Sequence, residues 1–207
     1  AAIAAGIPVI SMNSGSDDYA SLGISVHVGQ TEFEAGVGGG QKMKAAGGKK
    51  ALCVNHEVGN VALDRRCAGF KKGFGGTVDI LGTSNDVTEI QKAVAAKLNA
   101  GYDTILTLGA GLSGEAALKA LEESGKVGKV KLGTFDMSPD MLKAAADGKV
   151  EFLIDQQQYL QGYLPIVIFA QYIKWGTMPA GVVMTGPGFV TPKNASNVIK
   201  WAAQGYR

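Results

Sequence analysis

The 207-residue chain is short of cysteine, of histidine and of long apolar runs, and each shortage removes a class of function. Cys53 and Cys67 are its only cysteines, too few for a disulfide framework or a zinc site. One falls in an expected strand and the other in an expected helix, and both are expected to be buried free thiols. His27 and His56 are the only histidines. No Cys/His or Ser/His/Asp arrangement surrounds them at a supporting spacing, so no catalytic set is expected and the chain reads as a non-enzyme. Glu32, Glu34, His56 and Glu57 have no metal-ligand spacing. The longest apolar run, residues 164–170, has seven members, against the ~20 that a membrane-spanning helix needs. Charged residues make up 18% and the formal net charge is +2, without the clustered basic excess of a nucleic-acid binder. No period of 20–50 residues recurs. The chain opens on Ala1 with no signal sequence ahead of it, and AAIAAGIPVI reads as the tail of a helix running into a strand. Upstream material is therefore expected.

What the chain does have is a core and an alternation. Its length suits one large domain or two small ones, and 46% hydrophobic residues are enough for an ordinary interior. Glycine supplies 30 residues, about twice the usual ~7%. Apolar runs at residues 7–12, 24–28, 50–54, 77–82, 103–108, 129–135, 151–154 and 182–184 read as strands. Helices are expected at 31–46, 61–74, 85–99, 113–124, 138–147 and 159–175, with a last one from about 195. Thr31 with Glu34 three residues on is the pattern of a capping box. Gly36, Gly38, Gly39 and Gly40 weaken that helix, and close packing against a strand would explain them. Pro165 sits inside residues 159–175, where it should kink a helix or start a new one. Strands alternating with 10–15-residue helices predict an α/β fold built on parallel sheet with right-handed crossovers.

Residues 132–165 hold the strongest binding signal. Two strands in this window end in polar pairs, Phe135-Asp136 and Asp155-Gln156, and ligands of open α/β sheets lie beyond the carboxyl ends of the strands. The plainer reading is that Asp136 caps the helix begun at Ser138-Pro139. That leaves Gln156-Gln157-Gln158 unexplained.

A competing signal lies at Gly109-Ala110-Gly111-Leu112-Ser113-Gly114, which matches the dinucleotide fingerprint G-x-G-x-x-G between a strand and a helix. Asp136, 22 positions after Gly114, stands where a carboxylate could grip a ribose hydroxyl. Against an NAD-dependent enzyme, the fingerprint normally occupies the first βαβ unit, and two βα units precede this one. Glycine is also common enough here for chance matches. Arg65-Arg66 reads, by itself, as a solvated helix face.

The ordered series GIPVISMN, RRCAGF and GTFDMSPDMLKAAADGKVEFLIDQQQYLQGY resembles the type I periplasmic sugar-binding proteins of the ribose-binding-like kind, the substrate-capturing subunits of bacterial ABC importers. The resemblance covers essentially the whole chain and starts partway through the family's N-terminal lobe. It implies two doubly wound parallel-sheet lobes joined by three crossings, near Gln30, Gln156 and Gly186, with the first lobe incomplete. Residues 1–30 and 157–186 would then be the remainder of the N-terminal lobe, and 31–156 with 187–207 the C-terminal lobe. About three βα units would lie upstream.

The resemblance also implies a site. Asn13, Gln30, Arg66, Asp136 and Gln156 match sugar-contacting positions, with Phe135 a lesser candidate. Ala110 departs from the pattern, standing where the family usually has an asparagine. Asn55, Glu57 and Asp155 are the candidates to compensate. A sugar hydroxyl both donates and accepts, so a network of carboxylates, amides and guanidinium suits it. The implied function is binding of a monosaccharide or polyol between the lobes, with hinge closure and delivery to an ABC transporter permease. The protein would be a periplasmic monomer without cofactor, metal or nucleic-acid partner. The effector-binding core of a LacI-like transcriptional regulator is the alternative, and the NAD-dependent enzyme comes third.

Overall fold

The computed structural model describes residues 1–207, arranged around two sheets. Strands β1 (Ile10–Asn13) and β2 (Val26–Gly29) pair in parallel in the smaller sheet. The chain then passes through Gln30 to the larger sheet, which it builds from alternating elements. These are α1 (Glu32–Ala45), β3 (Lys50–Asn55), α2 (Val61–Phe74), β4 (Thr77–Gly82), α3 (Val87–Lys97), β5 (Thr104–Thr107), α4 (Glu115–Glu123), β6 (Lys131–Phe135), α5 (Pro139–Ala146) and β7 (Phe152–Asp155). Helix α6 (Gln158–Trp175) and β8 (Gly181–Met184) return to the smaller sheet, where β8 pairs with β2. Finally β9 (Gly188–Val190) and α7 (Ala195–Ala202) rejoin the larger one.

The strand orders are β1-β2-β8 and β4-β3-β5-β6-β7-β9. In the larger sheet β3 is followed by β4 on one side and by β5, β6 and β7 on the other. The order therefore reverses between β3 and β5, and the crevice beyond their carboxyl ends is the place such a sheet offers a ligand. All pairings are parallel except β7 with β9. That antiparallel edge strand departs from the all-parallel expectation. Its three residues follow the Gly186-Pro187 breaker and carry no alternation of their own.

The interior follows from strands buried on both faces. On β3, Leu52 and Val54 pack with Ile90, Leu121 and Leu132 toward α3, α4 and α5, whereas Ala51 and Cys53 pack with Met43, Phe70 and Phe74 toward α1 and α2. The buried stripe of α2, Leu63, Cys67, Phe70 and Phe74, has helical spacing and reads correctly from sequence to its end residues. The smaller sheet buries much less, with Val26, Val28 and Ile168 at its centre. Helix α6 runs through Pro165 without breaking, and leaves Ile166 and Ile173 69% and 82% exposed.

Three expectations, and the plainer reading of Asp136, are corrected. Cys53 and Cys67 are joined in a disulfide. Tertiary packing lays α2 on β3 and brings their Cα atoms to 5.8 Å, a bridging distance that counting cysteines does not reveal. Thr31 is the N-cap of α1, but its side chain accepts no cap hydrogen bond and Glu34 is exposed, so the capping box is not made. Strand packing accounts for only two of the four α1 glycines, because Gly36 and Gly40 admit a helix: Cβ atoms there would stand 2.2 Å from Arg66 O and 2.4 Å from Phe70 O of α2. Gly38 and Gly39 do meet strands, the first through Phe189 of β9 and the second through Ile154 and Phe152 of β7. Lastly, Ser138, not Asp136, caps α5, with Oγ accepting from Met141 N at 3.2 Å.

Candidate functional site

The carboxyl ends of both sheets converge where the chain passes between them. Asp136 ends β6 in the left-handed region, φ 65°, as does Asn13 at the end of β1, φ 69°. Asn and Asp tolerate this conformation better than other side chains, and such strain concentrates at functional sites. Gln157, φ 55°, is the only other non-glycine residue there, and it lies on a crossing. Asp136 is held through its backbone N–H, which donates to Ile154 O at 2.9 Å.

A continuous path of side chains links the two strand ends. Asn13 Nδ2 donates to Gln161 Oε1 at 3.0 Å. Gln161 Nε2 donates to Gln156 O at 3.2 Å, and Gln156 Nε2 donates to Asp136 Oδ1 at 2.5 Å. Gln158 Nε2 adds a longer bond to the same oxygen at 3.3 Å. Gln156 is nearly fully buried, yet its Oε1 accepts from no protein group. The same is true of Gln30 Oε1 on the first crossing. Buried acceptors without partners are uncommon in native proteins and call for an explanation.

Thr185, on the third crossing, ties the other two. Its N–H donates to Gly29 O at 2.8 Å and its Oγ1 donates to Gln156 O at 2.7 Å. Neither Thr185 nor Gln161 stands out in the sequence: Gln161 is tied to Asn13 and to Thr185, 24 residues on, and Thr185 to Gln156, 29 residues back.

A second cluster surrounds Arg66. The side chain is 5% exposed, so the solvated-face reading fails for it, though it holds in part for half-buried Arg65. Arg66 Nε and Nη2 donate to Glu32 Oε2 and Oε1 at 2.5 and 3.1 Å, and Nη1 donates to Leu108 O at 3.1 Å. The guanidinium lies 4.4 Å above the ring of Phe135, which is fully buried and so supports Arg66 from below. Gln30 Nε2 donates to Glu32 Oε2 at 3.2 Å. Glu32, only 3% exposed, enters the sequence reading only as a metal ligand without the spacing for one. No group of three or more metal-binding side chains is assembled anywhere in the chain.

The remaining candidates are engaged elsewhere. Asn55 Nδ2 donates to Asp64 Oδ1 at 2.8 Å, and Asn55 Oδ1 accepts from Glu57 N at 3.0 Å. Glu57 is exposed and accepts from Asn60 Nδ2 at 3.1 Å. Asp155 is fully buried, accepts from Gln157 N at 2.7 Å and pairs with Arg207 at 2.8 Å. Arg65 reaches across to Asp17 on the loop after β1. Between that loop and the start of α2 lies a cavity of about 200 Å³ lined by Ser14, Asp17, Glu32, Asn60 and Arg65 among others. A larger hollow of about 590 Å³ lies between α5 and α7, and none of the nine candidate residues lines it. The polar side chains, and not the largest space, mark the site.

The Gly109–Gly114 segment forms a π-helical turn, Gly114 N donating to Gly109 O at 2.8 Å, ahead of α4. Its first carbonyl also accepts from Ser113 Oγ at 3.0 Å. The Asp136 carboxylate is taken up by the glutamines of the crossing, away from a ribose-gripping role.

The family model of the periplasmic binding protein domain matches residues 1–177. The chain is similar to the crystal structure of a carbohydrate transporter from Acidothermus cellulolyticus in complex with myo-inositol. The two are 34% identical, with a TM-score of 0.91 over all of this chain and 73% of that one. A periplasmic ribose ABC transporter from Conexibacter woesei shares the fold, with a TM-score of 0.84 at 21% identity, over 99% of this chain and 71% of that one. Among curated proteins, a xylose/arabinose-binding protein of Sulfolobus acidocaldarius is 28% identical over 213 residues, 93% of this chain. The chain spans about half the length of that relative, 52%. With two parallel-dominated sheets, three crossings and a polar set at the strand ends, the chain belongs to the periplasmic binding protein domain family and has its type I fold.

Proposed function

We propose that the protein captures a monosaccharide or polyol between two lobes and hands it to the permease of an ABC importer outside the cytoplasm. Residues 1–30 and 157–186 form one lobe in this reading, and residues 31–156 and 187–207 the other. The observation that carries it is the hydrogen-bonded path from Asn13 through Gln161 and Gln156 to Asp136, which joins strand ends of both sheets. A ligand that engages Asn13, Asp136 and the free Oε1 of Gln156 makes contacts with both lobes at once. It favours the closed form only by that difference in affinity. Thr185, bonded to both other crossings, is the natural pivot.

The relatives reported above are sugar-binding and carbohydrate-transport proteins, which favours this reading over a transcriptional regulator or an NAD-dependent enzyme. The Cys53–Cys67 disulfide supports an extracytoplasmic setting, since cytosolic thiols are kept reduced. The test is thermal unfolding with myo-inositol, D-xylose, L-arabinose and NAD. A binding sugar or polyol at 100 times its dissociation constant adds about 2.7 kcal/mol of stability. A shift with NAD and none with any sugar or polyol refutes the reading.

A further inference from the structure

His56 is the first residue beyond Asn55, at the carboxyl end of β3, and its ring leans over the end of β5. A Cβ placed on Gly109 would stand 3.2 Å from the imidazole Cε1 and 3.5 Å from Nε2. The ring therefore occupies the point where the strand order reverses. The charged groups around it are Glu57, Arg66 and Asp136, and the last two belong to the polar set already described. The adjoining Ala110 brings no polar side chain to this corner, and His56 adds one to those already there.

Its hydrogen bonding fixes which face of the imidazole is presented. His56 Nδ1 lies 3.3 Å from Ser113 Oγ, and Ser113 Oγ lies 3.0 Å from Gly109 O. A carbonyl oxygen only accepts, so the single hydroxyl proton of Ser113 points to Gly109 O. The Ser113 oxygen must then accept, and His56 Nδ1 carries the proton that it accepts. Burial lowers the pKa of His56 below its ordinary value, Arg66 assists, and Glu57 and Asp136 oppose. The ring is thus neutral at pH 7, protonated on Nδ1 and bare on Nε2.

We propose that His56 is a ligand-contacting residue of the sugar or polyol site, with Nε2 accepting a hydrogen bond from a ligand hydroxyl. Gly109 and Ser113 are its positioning residues. Gly109 leaves room for the ring, and Ser113 sets its tautomer. This rests on the proposed function and deepens it. Asp136 also presents an acceptor, so the corner selects ligands whose hydroxyls donate there. It rejects analogues in which that hydroxyl is replaced by hydrogen or fluorine.

The test has two arms. Titration calorimetry with myo-inositol, D-xylose and L-arabinose compares the native protein with His56→Phe and Gly109→Ala. The first variant fills the space without an acceptor, and the second displaces the ring. Loss of one such bond is expected to weaken the best ligand about tenfold in each, whereas His56→Gln, which keeps an acceptor, loses less. If the native protein binds and His56→Phe binds equally well, the assignment of His56 falls and the proposed function stands. If the native protein binds no sugar or polyol, both fall. The second arm is long-range ¹H–¹⁵N correlation of the imidazoles at pH 7.5. A proton on Nδ1 of His56 is expected, and a proton on Nε2 overturns the assignment with or without ligand.

Discussion

Glu32, on the first turn of α1, grips Arg66 of α2 with both carboxylate oxygens, and the pair is almost wholly excluded from water. Neither residue has another charged partner in the structure. Removing one member strands the other in a low-dielectric interior, which typically costs ~3–5 kcal/mol, whereas removing both is far milder. Arg66→Met and Glu32→Gln are each expected to lower unfolding stability by about that amount. The double variant should recover much of the loss. Urea denaturation of the four proteins in a double-mutant cycle measures the coupling, and additive losses would show that the pair acts as two independent residues. Any loss of ligand affinity in Arg66→Met must be read against this cost.

The disulfide fixes α2, and with it Arg66, onto β3. It closes a loop of 14 residues' separation, for which the chain-entropy treatment gives about 3 kcal/mol. The Cys53→Ala/Cys67→Ala protein should be less stable by about that figure. Because both cysteines are buried, reductant should leave the disulfide of the folded protein intact and cleave it only once unfolding exposes it, which lowers the unfolding midpoint toward that of the double variant. Guanidinium denaturation with and without reductant separates the two cases.

Helices α1 and α2 touch backbone to backbone. A Cβ on Gly69 would sit 2.0 Å from Phe33 O, and one on Gly73 would sit 2.0 Å from Val37 O. Alanine improves helix propensity by roughly 1 kcal/mol. A clash against backbone cannot be relieved by side-chain rotation, so overpacking, ~1–3 kcal/mol in ordinary cores, should win. Gly69→Ala is expected to melt earlier than the native protein, and a rise in melting temperature would contradict this packing.

Acidification should destabilise the fold. His27 is buried at the centre of the smaller sheet, its Nδ1 2.9 Å from Ser11 Oγ. Burial lowers its pKa below the ordinary 6.5, against the opposing pull of the Asn13 backbone, Glu32 and Asp17. A lowered folded pKa means that the unfolded chain binds the proton first, so stability falls as pH drops below about 6.5. The loss continues until the folded pKa is reached, and His56 contributes with the same sign. Between pH 7 and 5, His27→Gln should show a shallower decline in melting temperature than the native protein. Equal slopes would remove His27 from this account.

How far the sequence carries depends on whether a feature is local. Periodicity finds α2 to its end residues, and the helix expected from residue 85 is capped by Asp86. The strand ends at Asp136 and Gln156 are visible because polar residues close apolar runs. The disulfide, β9 and the Arg66–Glu32 pair depend on which faces tertiary packing brings together, and no spacing rule reports that. Gln161 looks like a surface residue of a helix until α6 is laid against the crossings. His56, taken alone, reads as a stray histidine. Only the reversal of strand order between β3 and β5 places it over Gly109.

The most direct measurement is calorimetric titration of the protein and of Asp136→Asn with myo-inositol, D-xylose and L-arabinose. Asparagine is the informative substitute because it tolerates the left-handed backbone at φ 65°, where alanine adds strain. It also removes the charge that accepts from Gln156 and Gln158. The account predicts saturable binding of at least one of these ligands by the native protein. It predicts at least tenfold weaker binding by Asp136→Asn at unchanged melting temperature in the absence of ligand. Binding of equal strength by both proteins, or no binding of any sugar or polyol by the native protein, would contradict it.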